Sequence, residues 1–142
     1  GLGMEPLTRA FTAYRLHAMT RGCRVAIKTF LMDARRIVGV GNIYANESLF
    51  LAGIRPNARA CTLSRAQCAD LVSAIKKTLR AAIRAGGSSL RDYVKSDGGS
   101  GCFQQDYMVY GRSDQPCRRC GTPIRRIVQG QRATYFCPAC QR

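Results

Sequence analysis

The sequence is poor in acid: against 23 lysines and arginines stand only 8 aspartates and glutamates, a formal charge of +15 over 142 residues. The basic residues are dispersed along the chain instead of forming a tail. Dispersed excess charge repels itself in a compact state, which favours a polyanionic partner over a membrane surface or simple solubility. Nucleic acid is the leading candidate. Long apolar runs are missing too: none approaches the ~18–20 residues of a membrane span, and no secretory signal is recognisable. The chain therefore reads as soluble, intracellular and cytoplasmic. Histidine is reduced to His17, and a lone histidine is more often a surface or packing residue than a catalyst. The opening Gly1-Leu2-Gly3 lacks an initiator methionine, as expected of a piece of a longer protein. A chain of this length holds one ordinary core, or a helical domain with a small appendage.

Cysteine, by contrast, is plentiful, with eight copies. Disulfides are one reading. However, Cys117-x-x-Cys120 and Cys137-x-x-Cys140, sixteen residues apart, have the double-pair spacing of a four-thiolate zinc site in a reducing compartment. Between the pairs, Ile124 to Val128, then Gln129-Gly130, then Arg132 to Phe136 read as a β-hairpin that brings the two knuckles to one ion. Roughly two dozen residues cannot bury enough apolar surface to fold alone, whereas structural zinc supplies about 10–16 kcal/mol. Four sulfur ligands leave no open position, so one structural Zn2+ is expected. Arg118, Arg119, Arg125 and Arg132 can offset the formal charge, about −2, of four thiolates on a dication. Cys68 suits an apolar helix stripe as a small buried hydrophobe, while Cys23, Cys61 and Cys102 carry no role derivable from spacing.

The helical part centres on Gly39-Val40-Gly41-Asn42. Two glycines permit positive φ and close approach of a ligand, and a helix expected to open at Ile43 offers unpaired amides and a partial positive charge. That combination suits an anion such as phosphate, although such turns also join helices for purely structural reasons. Upstream, Leu7, Phe11, Tyr14 and Leu16 could share one short amphipathic helix. From Arg24 to Met32, Val25, Ile27, Phe30 and Leu31 suit a buried helix, with Lys28 on another face, either solvated or functional. Gly53 and Pro56 mark the end of the helix after the turn. Thr62 to Ala85 is the clearest helix: Ser64 and Gln67 form a capping box, and Cys68, Leu71, Val72, Ile75, Leu79 and Ile83 recur at helical spacing. Lys76, Lys77, Arg80 and Arg84 line its other face. A short helix is expected to open at Ser89 to Asp92. The glycine-rich stretch Ser96 to Gly101 reads as a mobile loop, a connector or a cover for a ligand.

Several stretches together resemble one family. They are Ala26 to Asp33, Gly39 to Phe50, Ser96-Asp97-Gly98, Val109 to Arg112 and Gln131 to Pro138, and they resemble the C-terminal half of bacterial formamidopyrimidine-DNA glycosylase. The wording Asn42-Ile43-Tyr44-Ala45-Asn46-Glu47 is less like the sister family, endonuclease eight. The resemblance implies a mainly α fold: a helix–two-turns–helix domain over residues 1–111, then a β-hairpin zinc finger over 112–142. It also implies a monomeric base-excision-repair glycosylase and AP lyase that flips oxidised purines, 8-oxoguanine and formamidopyrimidines, out of damaged duplex DNA and cuts the backbone by β,δ-elimination. By position, Asn42 with Gly41 in the turn and Arg132 on the finger match residues that grip phosphates. Arg132 also matches the residue of the δ-elimination step. Tyr110 matches a further phosphate contact, and Lys28 a lysine near the damaged nucleotide. Ser96, Asp97, Gly98, Gly99, Ser100 and Gly101 match the loop over the everted base, and Glu47 a carboxylate facing the catalytic centre across a domain interface.

The sequence also departs from the family pattern. The family's nucleophile is an N-terminal proline followed by glutamate, on a β-sandwich domain that this chain does not contain; Pro6 is internal and its nitrogen is an amide. Met4 stands where proline is common. Cys23 replaces a position that is often basic, with Arg21 and Arg24 as possible substitutes. The expectation is a fragment that binds DNA without excising bases. The alternatives are a stand-alone nucleic-acid-binding zinc module, and a structural zinc protein whose basic surface meets RNA or another protein.

Overall fold

The computed structural model describes residues 3–86 and 106–142, which form four α-helices, a short 3-10 turn and one two-stranded antiparallel sheet. The expected helix at Ser89 to Asp92, the stretch Ser96 to Gly101 and Cys102 lie outside the described residues.

Helix α1 (Ala13–Thr20) starts where the Thr12 hydroxyl accepts the Arg15 amide at 3.1 Å. This corrects the expected helix through Leu7 and Phe11. Leu7 is exposed in a turn closed by Thr8 on Glu5, and Phe11 is fully buried ahead of the cap. Helix α2 (Ile27–Met32) buries Ile27, Phe30 and Leu31. Val25 is 38% exposed instead, because it lies before the helix in an extended pairing whose carbonyl accepts the Ala60 amide. Helix α3 (Asn42–Ala52) stops at Gly53, which holds φ 73 and lies 3.4 Å, at its would-be Cβ, from the Cys140 carbonyl. That left-handed cap is the stop the sequence announces.

Helix α4 (Arg65–Arg84) begins in the expected capping box. The Ser64 hydroxyl accepts the Gln67 amide at 3.1 Å, and the Gln67 side chain accepts the Ser64 amide at 2.9 Å. Its stripe of Cys68, Leu71, Val72 and Ile75 packs against α1 and α3. Ile83 departs from the expectation and is 54% exposed, since the stripe runs past the helices it packs on. Lys76 folds back, its Nζ donating to the Thr8 carbonyl at 3.0 Å. Each large core side chain contributes roughly 1.5–3 kcal/mol of burial before entropy.

Strands β1 (Arg125–Gln129) and β2 (Arg132–Phe136) pair from Arg125↔Phe136 to Gln129↔Arg132. The turn is Gly130-Gln131, with φ 54 and 67, one residue beyond the expected Gln129-Gly130. A tight type I′ connection needs positive φ at both central positions, and this register supplies it. A second apolar cluster of Phe50, Val109, Cys117, Ile124 and Cys137 joins the hairpin to α3. Helix α3 thus serves both cores: Leu49 faces the helical one and Phe50 the other.

Candidate nucleic-acid interface and metal centre

The glycine turn delivers α3 against the hairpin. Gly39 takes φ 84, whereas Gly41, the N-cap, sits at φ −80, so only the first glycine uses the left-handed region. The helix opens at Asn42, one residue earlier than expected, and no side chain caps it. Its first amides therefore lack intrahelical acceptors. Open space surrounds the Cα positions of Gly39 and Gly41.

Three side chains from the helical part converge on strand β2. Asn42 Nδ2 donates to the Ala133 carbonyl at 3.0 Å, Asn46 Nδ2 reaches the same oxygen at 3.5 Å, and Asn46 Oδ1 accepts the Tyr135 amide at 2.7 Å. Because a carbonyl only accepts, the nitrogen end of Asn42 must face it. Asn42 Oδ1 is left buried, without a partner among the described residues. Lys28 Nζ donates to Thr134 Oγ1 at 2.7 Å and to Ala133 O at 3.4 Å. Lys28 is only 1% exposed, which overturns the reading of it as a solvated lysine. Burial, with the charge of Arg132 as the second cause, pushes its amine down to about 8.

Arg132 lies beside this junction. With Lys28, Thr29, Met32, Asp33, Gln129 and Gly130 it lines an open cavity of about 310 Å³. Asn42 and Arg132 are thus brought to adjacent residues of one strand, the first through its bond to Ala133. Asn46 and Thr134, which hold this junction, were not singled out in the sequence. Asn46 had a legible signal, being one helical turn after Asn42 and bonded to its carbonyl at 2.8 Å; Thr134 had none, since its partner is 106 positions away.

The four finger cysteines converge as expected, with all four sulfurs within 4.8 Å of one another. The Cys117–Cys140 and Cys120–Cys137 sulfur separations are 3.8 and 3.5 Å. A tetrahedral ion with sulfurs at ~2.3 Å requires edges of about 3.8 Å, close to these two separations, so the donor set suits zinc. The Arg119 and Cys140 amides point at the first sulfur of each knuckle, at 3.4 and 3.3 Å. Without a cation the sulfurs compete. Bonds from Thr122 hold Cys120 down at about 6, while burial and the neighbouring thiols push Cys140 up to about 12. Four thiolates at once need a dication. The finger arginines extend outward from this centre: Arg118 donates to the Tyr107 carbonyl at 3.0 Å, Arg119 covers the Phe50 ring and Arg125 the Phe136 ring.

The finger is docked by its own C-terminus. Arg55 donates to the carbonyls of Gln141 and Pro138 at 3.0 Å each, and Gln141 Nε2 to Ile54 O at 2.9 Å. Tyr110 stacks edge-on between Tyr107 and Tyr135. Glu47 is buried, and both its oxygens accept backbone amides of residues 108–110.

Fold and site define a helical zinc-finger protein with an open cavity, lined by Lys28, Arg132 and Asp33, where the two parts meet. Residues 2–94 match the formamidopyrimidine-DNA glycosylase H2TH domain, and residues 114–142 match the zinc finger found in FPG and IleRS. The chain belongs to the formamidopyrimidine-DNA glycosylase family, and its cysteines form that finger's site for one zinc ion. It is 63% identical over 142 residues to the formamidopyrimidine-DNA glycosylase of Thiobacillus denitrificans, covering 100% of this chain and 53% of that protein. The Aromatoleum aromaticum protein of the same name is 59% identical, with 99% and 52% covered. Among solved structures, MutM (Fpg) of Thermus thermophilus matches with a TM-score of 0.85 at 40% identity, over 99% of this chain and 53% of that one. The complex between Lactococcus lactis Fpg and DNA containing an abasic site matches with 0.85 at 35%, over 99% and 52%. The chain spans about half the length of these relatives and corresponds to their C-terminal half. No helix among the described residues is long and apolar enough to cross a membrane.

Proposed function

We propose that this chain is the DNA-binding half of a base-excision-repair glycosylase and AP lyase acting on oxidised purines in duplex DNA. In this reading residues 1–111 form a mainly α, helix–two-turns–helix domain and residues 112–142 the finger. The groove between them grips the phosphates around a flipped lesion. Asn42, through its remaining amide hydrogen, and Arg132, through its guanidinium, each take a phosphate oxygen. Lys28 sets a positive charge beneath them, Tyr110 contributes a further contact, and Ser96 to Gly101 covers the everted base. Arg132 also serves the elimination step, and Glu47 faces the domain that carries the nucleophile.

One observation carries the reading: Asn42 and Lys28, from two different helices, are both bonded to the strand residues immediately after Arg132. Flipping a base costs a few kcal/mol of stacking, and charge-assisted contacts from two rigid elements to neighbouring phosphates can offset that cost without reading sequence. The likeness to Fpg bound to abasic-site DNA supports the choice of partner. The 142-residue polypeptide on its own is expected to bind without excising, because Pro6 offers only an amide nitrogen.

Fluorescence anisotropy with three labelled probes tests this: a duplex bearing a tetrahydrofuran abasic analogue, the undamaged duplex and an RNA of equal length. Preference for the analogue duplex is expected. Equal binding of all three would leave only a general polyanion binder.

A further inference from the structure

The segment from Tyr107 to Arg112 joins the finger to the helical part and belongs to no helix or strand, yet Val109 within it is completely buried. A buried irregular segment must find partners for its main chain. Here the partners are charged and sorted by sign. Glu47 takes the donors: Oε1 accepts the Met108 amide at 2.7 Å, and Oε2 accepts the amides of Val109 and Tyr110 at 2.9 and 3.0 Å. Arginines take the acceptors, with Arg112 Nη1 on Met108 O at 2.8 Å and Arg118 Nε on Tyr107 O at 3.0 Å. A carboxylate receiving three consecutive amides makes strong, charge-assisted bonds and leaves the segment one geometry. That geometry places the Tyr110 ring 5.2 Å from Tyr135, on the strand that bears Arg132.

The geometry points to Glu47 as a positioning residue: its carboxylate fixes the 108–110 backbone and thereby holds Tyr110 against Tyr135, on the strand that bears Arg132. The inference rests on the DNA-binding reading. It gives Glu47 a task inside this chain, separate from any contact with another domain. Glutamine keeps the size of the side chain, but its NH2 would confront an amide donor, so it cannot serve all three.

A double-mutant cycle tests the link in the zinc-loaded 142-residue chain, using the abasic-analogue duplex and counting zinc per chain. Tyr110→Phe is expected to weaken binding roughly fivefold in the wild-type background and not at all beside Glu47→Gln. Glu47→Gln alone should cost roughly tenfold with one zinc per chain retained. The same loss from Tyr110→Phe in both backgrounds would overturn the proposal. Hydrogen exchange on the unmutated chain needs no variant: the 108–110 amides should be protected although they lie in no regular element, and exchange as fast as in an open peptide would also overturn it. A wild-type chain that binds no DNA would defeat the DNA-binding reading, while protected amides in that chain would still uphold the anchoring by Glu47.

Discussion

Lys28 shows how one side chain changes meaning with its partners. In sequence it is a polar residue off the apolar face of a short helix; in the fold it lies under β2 with its amine on Thr134. Removing the hydroxyl strands a buried ammonium with one long bond to Ala133. Thr134→Val should therefore destabilise the protein by about 1–3 kcal/mol, read from the urea midpoint. A nearby phosphate favours the protonated amine, which is held at about 8 in the free chain. DNA affinity should then fall as pH rises through 8, and Lys28→Met should flatten the profile between about pH 7 and 9. An unchanged profile would remove Lys28 from the groove. The stability linkage has the opposite sense: above about 8 the unfolded chain holds the proton that the folded one has released, so this group's contribution rises with pH up to its ordinary value.

Among the elements, those governed by neighbours in sequence were legible. The capping box of α4, the glycine stop of α3 and the paired cysteines are local chemistry, and all three appear as read. Where chain-local cues ran out, the reading slipped: α1 starts at a cap the periodicity did not weigh, and Ile83 has the right spacing but meets no helix among the described residues. The independence of the finger is the larger lesson. Zinc removal is expected to unfold residues 117–142 and leave the helical part largely intact, and the places where it reaches beyond the finger are marked by Phe50 of α3, which shares the finger's core, and Arg55, which is bonded to its last turn. Chelation should therefore expose Phe50 and Lys28 as well. Circular dichroism should retain the helical signal of α4, whose core contacts lie elsewhere, while acrylamide quenching of tyrosine fluorescence rises for Tyr110 and Tyr135. Full loss of helix on chelation would mean that the two cores are one cooperative unit.

For the whole molecule, the charge of +15 was the first indication of its partner, and the fold concentrates its use. Several of the basic residues have structural tasks: Arg55 docks the finger, Arg112 and Arg118 hold carbonyls, Arg36 covers Phe30 and Lys76 closes a turn. Arg132 has none of these tasks and lines the open cavity instead. Binding should weaken steeply with salt, and Arg132→Ala should reduce the log–log slope by about 0.9, the release of one counterion. Asn42→Ala should weaken binding with little change in slope, because a neutral amide releases none.

The central claim is that the start of α3 and the arginine on the hairpin hold the same DNA strand. Methylphosphonate interference tests it most directly, by neutralising one phosphate at a time along each strand of an abasic-analogue duplex. Wild-type binding should be sensitive at a few phosphates flanking the abasic position. Asn42→Ala and Arg132→Ala should each abolish sensitivity at one of them, on the same strand and within a nucleotide or two of each other. Lost sensitivities on opposite strands, or none at all, would contradict the account.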